Sequence, residues 1–396
     1  MKTFQTGDQN LVKKINKSVV LNAIEHKGPI SRAQISKEEG LNKATVSTMV
    51  NELLENKLVY EIGPGQSSGG RKPVMLYFNN HAGHSIGIDL GVNYIRGVLT
   101  DLRGNHINEV TQPIDNIEVS SVIHQLNHVI TSLINLTPPS PYGIIGIGIG
   151  IPGIVDSNGK ILFAPNLKWN QVDLRKVVED TFKIPVTIEN EANAGAHGER
   201  LYGVGKDVEN LVYISVGIGI GTGIIINNKL FKGSSGISGE WGHVTIDGHG
   251  NKCPCGNRGC WELYASESVL LEEANKLIKS ESNHEINIEH IINEARNGNQ
   301  EILDLLYRIG DNLGIGITNI INTFNPEMVI IGNRFSELEN WIINPINRVL
   351  EDRLSVFHRQ DSSIKFSGLK NYSCALGSSS FAISKFLSAQ RVSVEY

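Results

Sequence analysis

Apolar side chains recur at helical and then at strand spacing through the first eighty residues. Leu11, Ile15, the pair Val19-Val20 and Ile24 fall four to five positions apart, which predicts a helix over 10–26, and Gly28-Pro29 ends it. Ser31 is placed to cap a short second helix that starts at Arg32 and stops at Gly40. Asn42 caps a third, which runs through Val46, Val50, Leu53 and Leu54. Two short helices joined by a glycine-bearing turn predict a helix-turn-helix. The outer face of its second helix carries Lys43, Thr45, Ser47 and Thr48, side chains that reach phosphates and base edges in a major groove. Strands over 58–62 and 74–78 then flank a glycine- and serine-rich loop ending in Arg71 and Lys72. This predicts a wing with its cations near phosphates. The expected DNA contacts are therefore Ser31, Arg32, Asn42, Lys43, Thr45, Ser47, Thr48, Arg71 and Lys72.

From residue 85 the texture changes. Strands are predicted over 86–90 and 95–101, with Gly104-Asn105 as a hairpin turn and a third strand beyond it. A helix over 121–136 and a buried strand over 144–150 follow. A second strand–turn–strand opening begins at Leu211, with Gly217, Gly219, Gly221 and Gly223 along it. The repeat predicts duplicated lobes with a cleft between them. Residues 265–310 read as largely helical, 329–332 as a strand and 375–387 as a final helix. Helices alternating with strands make the class α/β.

A length of 396 residues predicts two or three domains, and 40% hydrophobic with 19% charged residues fits a soluble protein with a full core. No apolar run is long enough to span a bilayer and no leader opens the chain, so a cytoplasmic protein without a membrane partner is expected. The net charge of −5 is uneven: residues 1–80 hold 11 Lys/Arg against 7 Asp/Glu, and the remainder is acidic. That balance suits a nucleic-acid-binding end on an acidic body.

Three of the 4 cysteines lie within eight residues, at Cys253, Cys255 and Cys260, and His243 lies ten residues upstream. Three thiolates and an imidazole are a closed ligand set for one structural zinc. Gly256 and Gly259 allow the sharp turns that aim the sulfurs at one point. Glu240 and Glu262 flank the cluster, so a metal here fixes two carboxylates as well as a loop. Few cysteines, gathered as ligands, fit a reducing compartment. Cys374, outside the run, reads as a core residue.

Together these pieces resemble the ROK family, which holds bacterial sugar kinases and sugar-responsive repressors on an actin-like (ribonuclease H-like), two-lobed fold. The matching residues are Asp89-Leu90-Gly91, Ile151-Pro152-Gly153, Pro165-Asn166, Glu189-Asn190-Glu191-Ala192-Asn193-Ala194, the glycine loop from Gly217, Gly239-Glu240-Trp241-Gly242-His243, and the cysteine run through Glu262. With the winged helix, the likeness extends to the repressor branch. Gln66-Ser67-Ser68-Gly69-Gly70-Arg71-Lys72-Pro73, Asn190-Glu191-Ala192-Asn193 and Trp261-Glu262-Leu263-Tyr264-Ala265 look most like the branch that answers to xylose.

The resemblance implies a winged helix-turn-helix domain over 1–80, a small α/β lobe over 84–190 plus 374–396, and a large α/β lobe over 191–373 with the zinc loop. It implies a sugar inducer, D-xylose, in the cleft. Asn190, Glu191, Glu240, His243 and Glu262 would contact it, with Gly153 at the wall. His243 would bind zinc through one nitrogen and offer the other to the sugar. A homodimer on double-stranded operator DNA is also implied.

The kinases of the family carry Asp-Leu-Gly-Gly-Thr-Lys, Gly-Thr-Gly and a catalytic Asp. Here the first loop has Val92, Asn93 and Tyr94 after Gly91, the second has Ile218, and the base position holds Glu191. Three departures in separate parts of the machinery predict a chain that is no enzyme and has no catalytic residue. The alternative is an active ATP-dependent sugar kinase fused to a DNA-binding head.

Overall fold

The computed structural model describes residues 9–64, 73–156, 158–278 and 286–389. Arg71 and Lys72 lie outside the described residues.

The N-terminal unit comprises α1 (Gln9–Lys27), β1 (Ile30–Ser31), α2 (Arg32–Glu38), α3 (Lys43–Glu55), β2 (Val59–Pro64) and β3 (Val74–Phe78). Both expected caps are made. The Ser31 hydroxyl accepts the Gln34 amide while the Gln34 side chain accepts the Ser31 amide, and Asn42 accepts the Ala44 amide at 2.8 Å. Val46, Met49, Val50 and Leu53 form the inner stripe of α3 and pack with Val20, Ile24 and Ile35. One strand escaped the sequence reading: β1 pairs antiparallel with β3, Ile30 opposite Leu76, making a sheet of order β1-β3-β2.

Next come β4 (His84–Leu90), β5 (Tyr94–Asp101), β6 (His106–Pro113), α4 (Val119–Asn135), β7 (Ile144–Ile151), β8 (Ile154–Val155), β9 (Ile161–Ala164), β10 (Trp169–Val172), α5 (Leu174–Phe182), β11 (Val186–Asn190) and α6 (Glu191–Tyr202). The main sheet has order β11-β7-β4-β5-β6, with β4 antiparallel to β5 and parallel to β7. Every residue of β4 is buried, as a central strand covered on both faces requires.

The pattern then repeats. β12 (Leu211–Val216), β13 (Ile220–Ile226), β14 (Lys229–Leu230), α7 (Glu262–Ala265), α8 (Glu267–Leu277), α9 (Ile288–Arg296), α10 (Gln300–Phe324), β15 (Met328–Gly332), α11 (Glu339–Arg353), α12 (Val356–Asp361) and β16 (Ser363–Phe366) build a sheet of order β14-β13-β12-β15-β16. β12 stands in it as β4 does in the first, antiparallel to β13 and parallel to β15. The duplicated opening is therefore a real duplication of topology.

The helical run expected to end at 310 instead contains α10, which continues to Phe324. Gly310, Gly314 and Gly316 weaken the helical signal, but tertiary packing explains them. A Cβ on Gly310 would meet the Pro345 ring at 2.5 Å, and one on Gly316 the Trp261 indole at 2.0 Å.

The final helix, α13 (Ser373–Ala389), returns to the first sheet and to α6. Its distal residues Ala382, Ile383 and Leu387 join the same apolar cluster as Val20, Leu21 and Ile24 of α1. Among the described residues no helix is long and apolar enough to cross a membrane.

Candidate functional site

The carboxyl ends of β7 and β11 bring Gly153 and Asn190 together. Gly153 has φ 146°, and a Cβ there would lie 2.6 Å from the Phe163 carbonyl, so both backbone and space require glycine. Asn190 caps α6. Its Oδ1 accepts the amides of Ala192 at 2.9 Å and Asn193 at 3.2 Å, and its Nδ2 donates to the Gly153 carbonyl at 2.9 Å. One N–H of that side chain is left for a ligand. Glu191 opens α6 and accepts weakly from Ser215 Oγ at 3.5 Å. Burial foremost and then the nearby Asp89 charge push its pKa up to about 8, against the opposing pull of Ser215. At neutral pH Glu191 is largely protonated.

On the other side of the cleft, the turn Trp241–His243 and the loop to Glu262 bring four ligands together. The side-chain donor atoms of His243, Cys253, Cys255 and Cys260 all lie within 4.8 Å of one another. The sulfurs of Cys255 and Cys260 are 3.7 Å apart, and Cys253 Sγ is 3.8 Å from His243 Nδ1. A tetrahedral zinc with Zn–S bonds of about 2.3 Å separates its sulfurs by roughly 3.8 Å, so the donor set suits that ion in type and in spacing. The loop is tightly wound: a Cβ on Gly259 (φ 62°) would fall 1.7 Å from the Asp247 carbonyl. Trp261, fully buried, anchors it by donating from Nε1 to the Asn312 carbonyl at 2.9 Å.

The flanking acids tie this cluster to the cleft. Glu262 Oε1 is 3.2 Å from both His243 Nδ1 and Cys253 Sγ, while Oε2 lies beneath Gly219, 2.8 Å from where a Cβ would be. Burial opposes ionisation of Glu262, but His243 outweighs it and holds the carboxyl below its usual range. Glu240, about half exposed, stands 3.9 Å from His243 Nε2. His243 thus turns Nδ1 to the cysteines and Nε2 toward the cleft acid. Between Glu262 and Glu191 runs the glycine strip Gly219 and Gly221, where a Cβ at Gly221 would sit 4.0 Å from Glu191.

The glycine loop at Asp89 holds a feature that spacing did not expose. Tyr94 Oη donates to Asp89 Oδ2 at 2.8 Å, and a Cβ on Gly91 would strike the Tyr94 ring at 2.6 Å. Arg96 lies 5.0 Å above that ring and 4.0 Å from the same carboxylate oxygen. Burial raises the Asp89 pKa, with Tyr94 and Arg96 opposing it. A tyrosine thus covers the loop at the position where the kinases have lysine.

The N-terminal candidates divide. Ser31 is 3% exposed, with its hydroxyl and amide used in the cap. Arg32 donates to Glu61 at 2.9 Å and Asn51 at 3.3 Å. Asn42, Lys43 and Thr48 are exposed, and Thr48 donates back to the Ala44 carbonyl; Thr45 and Ser47 are half-buried. Lys43 has no ion pair among the described residues.

A family model described as the ROK family matches residues 85–385. The chain is 47% identical over 385 residues to a xylose repressor of Bacillus spizizenii, covering 96% of this chain and 98% of the relative. It is 46% identical over 387 residues to the xylose repressor of Bacillus subtilis, with the same coverage. Among solved structures, a ROK family transcriptional regulator described as a homologue of the E. coli MLC protein aligns with TM-score 0.79 at 28% identity. That alignment covers 96% of this chain and 99% of the other. A ROK family glucokinase from Streptomyces griseus, solved with glucose and AMPPNP, aligns with TM-score 0.70 at 26% identity, over 76% of this chain and 99% of that one. The regulator match covers nearly the whole chain, the N-terminal unit included, whereas the kinase match spans a share of it about the size of residues 84–389, the region that holds the two duplicated sheets. With its cleft, its glycine loops and its cysteine cluster in place, the chain belongs to the ROK family.

Proposed function

We propose that this protein is a transcriptional repressor that binds operator DNA through its winged helix and releases it when a sugar, D-xylose, fills the cleft. The carrying observation is the end-to-end match with xylose repressors, which takes in the DNA-binding head as well as the cleft. A neutral sugar is a ring of hydroxyls. Glu240 and Glu262 offer charge-assisted acceptors on one wall, while protonated Glu191 and the spare Asn190 N–H offer donors on the other. A bound zinc supplies a structural cross-link for the loop between His243 and Glu262. His243, Cys253, Cys255 and Cys260 hold it, and the loop in turn orients the two acids.

The protein is a regulator and not an enzyme. The Tyr94 ring lies against Gly91 in the first loop, and a protonated Glu191 is no general base. A homodimer presents two heads to a palindromic site, and the sugar favours the form in which their spacing no longer fits.

The test is binding to a labelled promoter fragment at fixed salt. The complex should dissociate with D-xylose and persist with glucose; a complex indifferent to both, or ATP turnover on a sugar panel, would sink the reading. Lys43→Ala should weaken operator binding on the order of tenfold and reduce the salt slope by about one, because an exposed lysine at a recognition-helix N-terminus meets phosphate.

Glu191 gives a separate, pH-dependent expectation. Its folded pKa of about 8 lies above the ordinary 4.5, so its favourable contribution is complete below 4.5 and is lost as pH rises through 8. Glu191→Gln should therefore flatten the fall in thermal stability between those values. The gain at pH 9 should be a few kcal/mol, since each tenfold in a protonation equilibrium is worth about 1.4 kcal/mol. Parallel pH profiles for the variant and the wild type would refute the assignment.

A further inference from the structure

The cleft is bridged by an ion pair that no sugar-contacting role requires. Glu189, the residue before Asn190, is 7% exposed at the end of β11. Its Oε1 accepts the Asn190 amide at 3.0 Å and Asn193 Nδ2 at 3.1 Å, so this carboxylate holds the backbone turn that presents Asn190 and Glu191. Its Oε2 pairs with Lys232 Nζ. Lys232 belongs to the other sheet's side of the cleft, in the loop between β14 and Gly239. That loop is closed on itself: the Ser238 amide donates to the Lys232 carbonyl at 3.2 Å, and Ser238 Oγ donates to the Phe231 carbonyl at 2.7 Å. Its far end is pinned where Thr222 Oγ1 donates to the Gly239 carbonyl at 2.7 Å, one residue before Glu240. This charge pair joins the turn carrying Asn190 and Glu191 to the loop leading into Glu240, beside the close packing of Ala192 on Gly221 and Gly223 of β13.

We propose that Lys232 is a positioning residue for the sugar. Through Glu189 it sets the distance between the Asn190–Glu191 wall and the Glu240 wall, and so the affinity of the cleft. This rests on the sugar-binding reading above. With Glu189 nearly enclosed and Lys232 about 43% exposed on its side chain, the lysine is the partner that a substitution removes without opening the core. Losing it leaves a buried carboxylate without its cation, which disturbs the turn Glu189 supports.

The experiment is calorimetric titration of D-xylose, glucose and N-acetylglucosamine into wild type, Lys232→Met, Lys232→Arg and Glu189→Gln, with operator affinity measured in the absence of sugar. Lys232→Met should raise the Kd for the bound sugar about tenfold, Lys232→Arg should stay within about threefold of wild type, and sugar-free operator affinity should hold in both. Combining Lys232→Met with Glu189→Gln should cost little beyond the worse single variant, as residues acting as one unit do. Wild-type sugar affinity in a folded Lys232→Met protein overturns the proposal, even if Glu189→Gln fails to fold. Equal losses in the methionine and arginine variants also overturn it. A wild type that binds none of the three sugars overturns the functional reading itself, and is told apart because the loss then precedes any substitution.

Discussion

Cys260→Ser should yield a protein that still binds its operator but no longer responds to sugar. Cys260 is fully buried, and its sulfur lies 3.7 Å from that of Cys255 and 3.4 Å from the His243 carbonyl. Structural zinc sites contribute an apparent binding free energy of about 10–16 kcal/mol, and removing one of four ligands forfeits several kcal/mol of it. The loop from His243 to Glu262 is wound by other bonds, such as the Ile246 amide to the Gly259 carbonyl at 2.8 Å and Asn257 Nδ2 to the His243 carbonyl at 3.0 Å, but they leave the three sulfurs and the imidazole without a cross-link of their own. Its cross-strand contacts are isolated bridges, Thr245 with Cys260 and Lys252 with Arg258. Loosening it frees Glu262 from beneath Gly219 and His243 from Glu240, so sugar affinity should fall more than a hundredfold. The head should be spared. Its apolar cluster contains no residue of this loop, whereas Trp261 belongs to the cluster formed by α8, α9, α10 and α11. Sugar-free operator affinity should stay within about threefold of wild type. Metal content, calorimetry with D-xylose and DNA anisotropy test the three statements separately. Zinc-depleted protein that releases DNA at the wild-type sugar concentration would contradict the coupling.

What could be read from the sequence follows from how local each signal is. Caps at Ser31 and Asn42, the strands β2 and β3, and the bunched cysteines are each encoded within about ten residues, and the structure has all of them. The helix α6 was not. Ala192, Asn193, Ala194, Gly195, Ala196, Gly198 and Glu199 are all buried and no residue of this helix is fully exposed, so it lacks the apolar-against-polar division that marks an amphipathic helix in a sequence. Contacts between distant positions were hidden for another reason. Arg32 with Glu61, Lys232 with Glu189 and the Gly316–Trp261 approach depend on the assembled fold, and nothing near any of these residues announces its partner. Tyr94 sits only five residues from Asp89, yet its significance depends on the ring lying across Gly91, which sequence spacing does not specify.

The crossing of α6 and α13 supports the other large prediction. A Cβ on Gly377 would fall 1.8 Å from the Ala194 carbonyl oxygen and 2.9 Å from the Gly198 amide, while one on Gly198 would fall 2.3 Å from the Ser373 carbonyl oxygen. The two helices therefore meet backbone to backbone. In an open helix, glycine to alanine gains up to about 1 kcal/mol from propensity. Here the new methyl lands on a carbonyl that cannot rotate away, and overpacking of this kind costs about 1–3 kcal/mol or more. The clash wins: Gly377→Ala should lower the melting temperature by several degrees. Gly248→Ala, whose Cβ meets nothing within 4 Å, should change it little.

The consequence for regulation is larger than the loss of stability, because the two helices end in different places. α6 begins with Glu191 in the cleft, and α13 ends with Ala382, Ile383 and Leu387 in the apolar cluster of the head. Phe386 also packs edge-on against Tyr142 at 5.2 Å, whose hydroxyl donates to the Asn56 carbonyl just past α3. A methyl that drives the helices apart changes the cleft-to-head geometry without touching a sugar or DNA contact. The ratio of operator affinities without and with saturating D-xylose should fall about tenfold in Gly377→Ala. By linkage, the ratio of sugar affinities without and with operator DNA must fall by the same factor. If the two ratios stay at wild-type values while the melting temperature drops, the α6–α13 crossing is a packing contact and the signal reaches the head by another route.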